Sequence, residues 1–287
     1  MTQSSTSRPL SESLREYGRG IAGGLLFSFP LLYTMEVWWA GFIASPLQLI
    51  YIILFTYLLL LGYNRYAGMH PDATLKDVLV DSVEELGLGF LLAFAMLLML
   101  RRVELGSMAT IEIMGKVIIE AMVMSIGISV GTAQLGVKDT SDSEAGQKRQ
   151  ELQKERQSGL LSLVVLAICG SVLVGGNVAP TEEVLVIGLQ ARPGHILAMA
   201  LVSIVMCILI LYYANSENSD KKSSAPNFYK IVGHASICYL IALGTSALLL
   251  WFFGRLDGMS FWTGFSQCIT LGVLSSLGSS AGRMLIN

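Results

Sequence analysis

Eight long apolar runs, separated by short polar segments, organise the chain: about 20–42, 46–66, 84–103, 107–135, 158–179, 194–215, 229–253 and 259–285. Each approaches the roughly 20 apolar residues that a helix needs to cross hydrocarbon. Lipid leaves no water for an unpaired backbone, so such runs are read as helices. The pattern predicts an all-α polytopic membrane bundle of about eight transmembrane helices, with seven as the alternative count. The third and fifth runs are the weakest. The third follows the acidic, amphipathic stretch Asp72 to Glu85, and the fifth ends in Gly175-Gly176-Asn177-Val178-Ala179-Pro180. That ending cannot be regular helix throughout.

Polar stretches divide the runs. Residues 137–158 alternate in charge and lack apolar anchors, which marks a charged linker without a core of its own. The expected organisation is a cytoplasmic N-terminal segment at 1–19, a first four-helix half at 20–135, a charged cytoplasmic linker at 136–158 and a second four-helix half at 159–287. Gly23-Gly24 precedes Pro30 and Glu36, and Gly175-Gly176 precedes Pro180 and Glu182. This raises an internal repeat, which with four spans per half would be parallel.

Composition agrees with the pattern. The chain of 287 residues is 53% hydrophobic and only 14% charged, against about 25% charged in soluble domains. A net charge of −2 and the lack of a basic stripe give no reason to expect nucleic acid. Cys169, Cys207, Cys238 and Cys268 all lie in apolar runs without a CxxC pair, which argues against disulfides and zinc. The segment Met1 to Gly18 lacks signal-peptide order, and the first run is too long for a cleaved apolar region, so it is expected to stay.

The basic residues set an orientation. With eight spans and both termini cytoplasmic, fourteen of the nineteen Lys and Arg fall inside and four outside, Lys116 lying within a span. The positive-inside rule favours this arrangement of a chain surrounded by lipid. Trp38, Trp39, Trp251 and Trp262 then fall at outer ends and Tyr63, Tyr66, Tyr212 and Tyr213 at inner ends, as interfacial aromatic rings prefer.

Acids inside apolar runs are the candidate chemistry, because a charge at a helix centre costs about 2.5 to 3.5 kcal/mol on insertion scales. Glu36 lies in the first run, where it either faces a wet interior or reaches for headgroups beside Trp38 and Trp39. Glu112, Lys116 and Glu120 recur every fourth residue and share one helix face. Lys116 either bridges both glutamates in a neutralised stripe or occupies an ion path when the ion leaves. Glu182 and Glu183 follow Thr181 after the Gly/Pro break, either as a helix start in water or as ligands at a discontinuous span. Glu36, Glu182 and Glu183 are the tentative cation ligands, since hard cations take oxygen. Asp77, Asp81, Glu84 and Glu85 recur at helical spacing, as a solvated face or as an acidic inner vestibule that concentrates cations. His195 opens the sixth run and reads as structural. Gly272, Ser275, Ser276, Gly278, Ser279, Ser280 and Gly282 give the last run a small-residue face suited to bundle or subunit packing. No nucleophile motif, phosphate loop or dinucleotide fingerprint occurs, so neither catalysis nor an organic cofactor is expected, only an inorganic cation.

Two stretches carry resemblances. Arg15 through Trp39, REYGRGIAGGLLFSFPLLYTMEVWW, with NVAPTEEV at 177–184, resembles an uncharacterised family of bacterial integral membrane proteins. That resemblance implies a location, the bacterial inner membrane, and no mechanism. Gly176 to Glu182 resembles the glycine-asparagine-glutamate signature of cation/proton exchangers that handle calcium, which implies cation binding at Glu182 or Glu183. Those exchangers carry two such signatures and more spans, and Glu36 here lacks the asparagine. Together these features predict a membrane cation pathway, either a channel or a proton-coupled transporter. The alternative is a membrane sensor or scaffold whose linker binds a partner.

Overall fold

The computed structural model describes residues 10–68, 73–136, 159–217 and 228–284. The charged linker at 137–158 lies outside the described residues, as does most of the polar stretch 215–226. The described residues form ten helices and no strand: α1 (Leu10–Leu32), α2 (Met35–Ile43), α3 (Pro46–Ala67), α4 (Leu75–Met99), α5 (Thr110–Gly136), α6 (Leu160–Gly175), α7 (Glu182–Gln190), α8 (Pro193–Glu217), α9 (Phe228–Phe252) and α10 (Phe261–Met284). The helical membrane class predicted from the apolar runs is what forms.

The first apolar run is not one straight span. After Pro30, which has no N–H to give the preceding turn, the chain leaves α1 at Leu32 and turns by 86° into α2. Helices α3, α4, α5, α8 and α9 are long and apolar enough to cross a membrane, and the bent α1–α2 pair makes a sixth. Helix α6 has only 16 residues. The acidic lead-in before the third run is not separate either: it is the opening of α4.

The helices form two copies of one unit. Each copy begins with a helix that breaks (α1, α6), continues as a nine-residue helix (α2, α7) and ends in three long helices (α3–α5, α8–α10). Within each copy the first helix packs most extensively along the last, α1 on α5 and α6 on α10. The sequence carries the duplication at two places. Thr34, Glu36, Val37, Gly41, Ala44 and Pro46 recur 147 residues later as Thr181, Glu183, Val184, Gly188, Ala191 and Pro193. Ser125, Gly127, Ser129 and Gly131 recur 151 residues later as Ser276, Gly278, Ser280 and Gly282. The equivalent of Glu36 is therefore Glu183, not Glu182.

Those glycines explain the tight first-to-last packing. A Cβ on Gly23 would lie 2.5 Å from the Gly131 Cα and 2.6 Å from the Gly127 carbonyl oxygen, so the two backbones touch. At the equivalent place a Cβ on Gly170 would strike the Gly278 carbonyl. Small residues permitting backbone approach are how membrane helices gain packing energy without a hydrophobic drive. Local details recur too. The Ser45 N–H donates to Gln48 Oε1 at 2.8 Å, and its counterpart Arg192 N–H donates to His195 Nδ1 at 3.2 Å. His195 thus caps a helix start, in line with a structural reading.

The copies meet where α3 and the end of α1 face α6. The Cys169 thiol reaches the Leu59 carbonyl at 3.7 Å, and one apolar cluster runs from Leu31 and Leu60 through Ile119 and Cys169 to Leu250 and Leu271.

Candidate functional site

Helix α5 collects the polar chemistry of the first copy. It lies across α1, α2, α3 and α4, and is almost wholly enclosed. Three groups of ionisable side chains lie on or beside it, at different levels.

At its start, Lys116 Nζ donates to Glu112 Oε1 at 2.7 Å and to the Arg102 carbonyl at 3.2 Å. The Lys116 side chain is 8% exposed and that of Glu112 19%. The Arg102 guanidinium stacks 3.9 Å over the Trp38 ring, whose Nε1 donates to the Leu32 carbonyl at 3.2 Å. This cluster therefore ties α5, the α4–α5 loop and the α1–α2 corner together. Stacking on an aromatic face is a role guanidinium fills well.

One turn further, Glu120 is 0% exposed, and neither carboxyl oxygen has a hydrogen-bond partner among the described residues. The i, i+4 spacing predicts that Lys116 can bridge both glutamates; the structure pairs it with Glu112 alone. The three ammonium protons of Lys116 are taken by Glu112, the Arg102 carbonyl and, at 4.0 Å, the Met108 sulfur, all on the side of α5 away from Glu120. The packing register places Glu120 closely. Gly127 lies against Gly23, Gly24 and Phe27 of the antiparallel α1. Carried seven residues further along both helices, at about 1.5 Å per residue, this brings Glu120 level with Leu32, the last residue of α1. Glu120 therefore sits in the plane of the α1–α2 corner.

The third group lies on the opposite face of α5, near the start of α4. Asn64 Nδ2 donates to Glu85 Oε2 at 2.7 Å and to Ser82 Oγ at 3.1 Å, while Ser129 Oγ donates to Asn64 Oδ1 at 2.8 Å. Glu85, Glu84, Asp81 and Glu16 line one cavity of about 140 Å³ together with Asn64 and Ser129. Tyr17 OH reaches Glu84 Oε2 at 3.5 Å. Asp77, grouped with these acids by spacing, does not line it. Asp77 closes a capping box, accepting from the Thr74 N–H at 2.9 Å and the Thr74 hydroxyl at 2.8 Å.

The remaining candidates stand apart. Glu36 is half-buried in the first turn of α2, against α5, whereas Glu182 and Glu183 are exposed in the first turn of α7, which packs on α10. Among the described residues no three His, Cys, Asp or Glu side chains are arranged to hold a metal ion. Glu36, Glu182 and Glu183 thus do not form a shared ligand set. Asn177, within the exchanger-like stretch, is turned to another use: its amide bonds the Phe27 carbonyl and the Leu31 N–H of α1.

The second copy lacks this chemistry position by position. Glu112, Lys116 and Glu120 correspond to Thr263, Gln267 and Leu271 at the offset of 151, Asn64 to Leu211 at 147, and Glu85 to Cys238 at 153, the offset between the first residues of α4 and α9. Leu211, Cys238 and Tyr239 lie in an apolar cluster there. Asn64 escaped the sequence reading, and so did the bridging use of the half-buried Asn177 side chain, although the stretch around Asn177 stands out in the sequence. Asn64 sits only two places from the end of the 46–66 run, where a polar residue reads as interfacial, a weaker signal than that of Glu36 six places inside its run.

Residues 16–286 match the family described as "Putative integral membrane protein (DUF2391)". The chain belongs to the DUF2391 family. It is an integral membrane protein in contact with the lipid bilayer, as the family and its long apolar helices agree. No curated protein and no solved structure matches the chain. Membership of DUF2391 accounts for the first resemblance, which spans the same residues, and carries no activity with it.

Proposed function

We propose that this DUF2391 protein is a proton-coupled cation transporter, or a proton pathway outright, whose working group is Glu120. The observation that carries this reading is the contrast between Glu120 and Leu271. Equivalent positions of one duplicated helix hold a fully buried, unpartnered carboxyl in one copy and a leucine in the other. Packing alone is served by the leucine. An unpaired buried charge is expensive, so either a proton or a cation must cancel it. With no group of three His, Cys, Asp or Glu around it among the described residues, Glu120 suits a proton better than a metal ion.

The flanking groups fit such a path. The acidic cavity at Glu16, Asp81, Glu84 and Glu85 would concentrate cations at one end of α5. The Glu112–Lys116 pair stands at the other end, one to two turns from Glu120. Eight spans with both termini cytoplasmic accord with the charge bias and with two like-ordered copies that each hold four helices besides the nine-residue one, α6 being the short member, and a bacterial inner membrane accords with the first resemblance. The reading assigns the chain no catalytic turnover and no resident cofactor.

Reconstitution into liposomes tests it. An imposed pH gradient should drive dye-reported proton movement, with or without a counter-cation, and Glu120→Gln should abolish it. Flux that survives Glu120→Gln in full would remove Glu120 from the path. Absence of any flux, with Glu120→Leu folding normally, would favour the scaffold alternative.

A further inference from the structure

The helix break beside Glu120 is held by the other copy. In a regular helix the Leu31 N–H bonds the Phe27 carbonyl. Here the Asn177 carboxamide spans that pair: Leu31 N–H donates to Asn177 Oδ1 at 3.1 Å, and Asn177 Nδ2 donates to the Phe27 carbonyl at 3.0 Å. The same Nδ2 donates to the Leu173 carbonyl at 2.6 Å, which anchors the amide to the end of α6. The side chain thus stands in for a peptide unit between two helices that are 146 residues apart at this point.

The arrangement is one-sided. The position equivalent to Asn177 in the first copy is Pro30, which has no amide to offer in return. Both breaks also close on their own chain. The first does so through Thr34, whose N–H donates to the Leu31 carbonyl at 3.0 Å and whose hydroxyl donates to the Pro30 carbonyl at 2.7 Å. The second does so with Gly176 N–H on the Val172 carbonyl at 2.9 Å, Ala179 N–H on the Gly175 carbonyl at 2.8 Å, and Arg255 Nη2 bonding the Pro180 carbonyl. So the break level with the buried carboxyl takes, besides its own bonds, a bridging amide from the other copy. Glu120 shares the face of α5 that carries Met124, Gly127 and Gly131 against α1, and the last turn of α1 lies at its level.

We propose that Asn177 is a positioning residue through which the second copy sets the α1–α2 corner, and thereby the access of solvent to Glu120. The proposal rests on Glu120 being the proton-carrying group, but its test reads access and not flux. The full-length protein in detergent is exchanged into deuterated buffer and, separately, treated with a water-soluble carbodiimide that reacts with accessible carboxyl groups. In Asn177→Ala, the peptide covering 27–34 should exchange faster and modification of Glu120 should rise at least threefold, while peptides of α8 and α9 remain unchanged. Asn177→Asp keeps the acceptor for Leu31 and sets a second carboxylate oxygen against two carbonyls; it carries the same expectation if the alanine variant does not fold. Unchanged exchange at 27–34, or unchanged modification of Glu120 in a folded variant, overturns the proposal. Loss of flux in Glu120→Gln alone, without these changes in Asn177→Ala, would leave the proton path standing and remove only the latch.

Discussion

Lys116 and Gln267 occupy equivalent places in the two copies and make the same contact. Each side chain donates to the carbonyl of an arginine in the loop before its helix, Lys116 to Arg102 at 3.2 Å and Gln267 to Arg255 at 3.4 Å. Both arginines follow a residue in the left-handed region, Arg101 at φ 57 and Gly254 at φ 66. The contact is thus older than its charge, or survives without it. What the first copy adds is an ammonium that also reaches Glu112, and a second acid beyond it.

This contact predicts how Lys116 tolerates change. Lys116→Gln should keep the loop contact and lose the ion pair, which is partly exposed at Glu112. A shift in unfolding free energy of about 1 kcal/mol or less is expected. Lys116→Leu leaves both Glu112 and the Arg102 carbonyl without a donor, and should destabilise by about 2 kcal/mol. Thermal unfolding in a single detergent ranks the two; equal effects would mean the carbonyl contact contributes nothing.

Glu120→Leu copies the second copy into the first. It removes an unpaired buried polar group and installs the residue that position already accepts at Leu271. Stability should rise, by about 1 to 3 kcal/mol, while activity is lost. A fall in melting temperature would show that Glu120 has a stabilising partner.

The backbone contacts predict a contrast among glycines. Gly23→Ala and Gly170→Ala each place a methyl group into a facing backbone and should lower the yield of folded protein. Gly244→Ala, in the middle of α9 with nothing within 4 Å, should be neutral or gain up to about 1 kcal/mol from helix propensity. Size-exclusion profiles and melting temperatures of the three variants decide it.

Asn64→Leu places in the first copy the residue found at Leu211. It strips Glu85 of its donor at 2.7 Å and Ser129 of its acceptor. A loss of about 2 kcal/mol is expected. Pairing it with Glu85→Cys, the residue at Cys238, should recover part of that loss. Failure of the pair to do better than Asn64→Leu alone would argue against their coupling.

Much of this fold was written in local pattern. Run length and apolarity gave helices, and Pro30 and the Gly175 to Pro180 stretch marked the breaks, whereas Asp77, grouped by spacing with the other acids, closes a capping box with Thr74. The acids drew attention as isolated polar residues should. Their grouping was another matter. Lys116 lies four residues from two glutamates, and only the Arg102 carbonyl, brought in by a loop, decides which one it joins. Asn64 and Glu85 lie on different helices, and no spacing rule links them. The duplication was half visible: Pro30 and Pro180 suggested a match, but those prolines are not equivalent. Thr34 and Thr181 are, and the register shifts from 147 to 151 residues between the first and last helices.

Infrared difference spectroscopy of the reconstituted protein tests the central claim most directly. A protonated carboxyl in a dry site has a carbonyl stretch separate from the amide bands. The account predicts such a band that vanishes in Glu120→Gln, persists in Glu112→Gln, and loses intensity when the imposed pH gradient drives transport. A spectrum in which no carboxyl band depends on Glu120, or in which that band ignores the gradient, would contradict it.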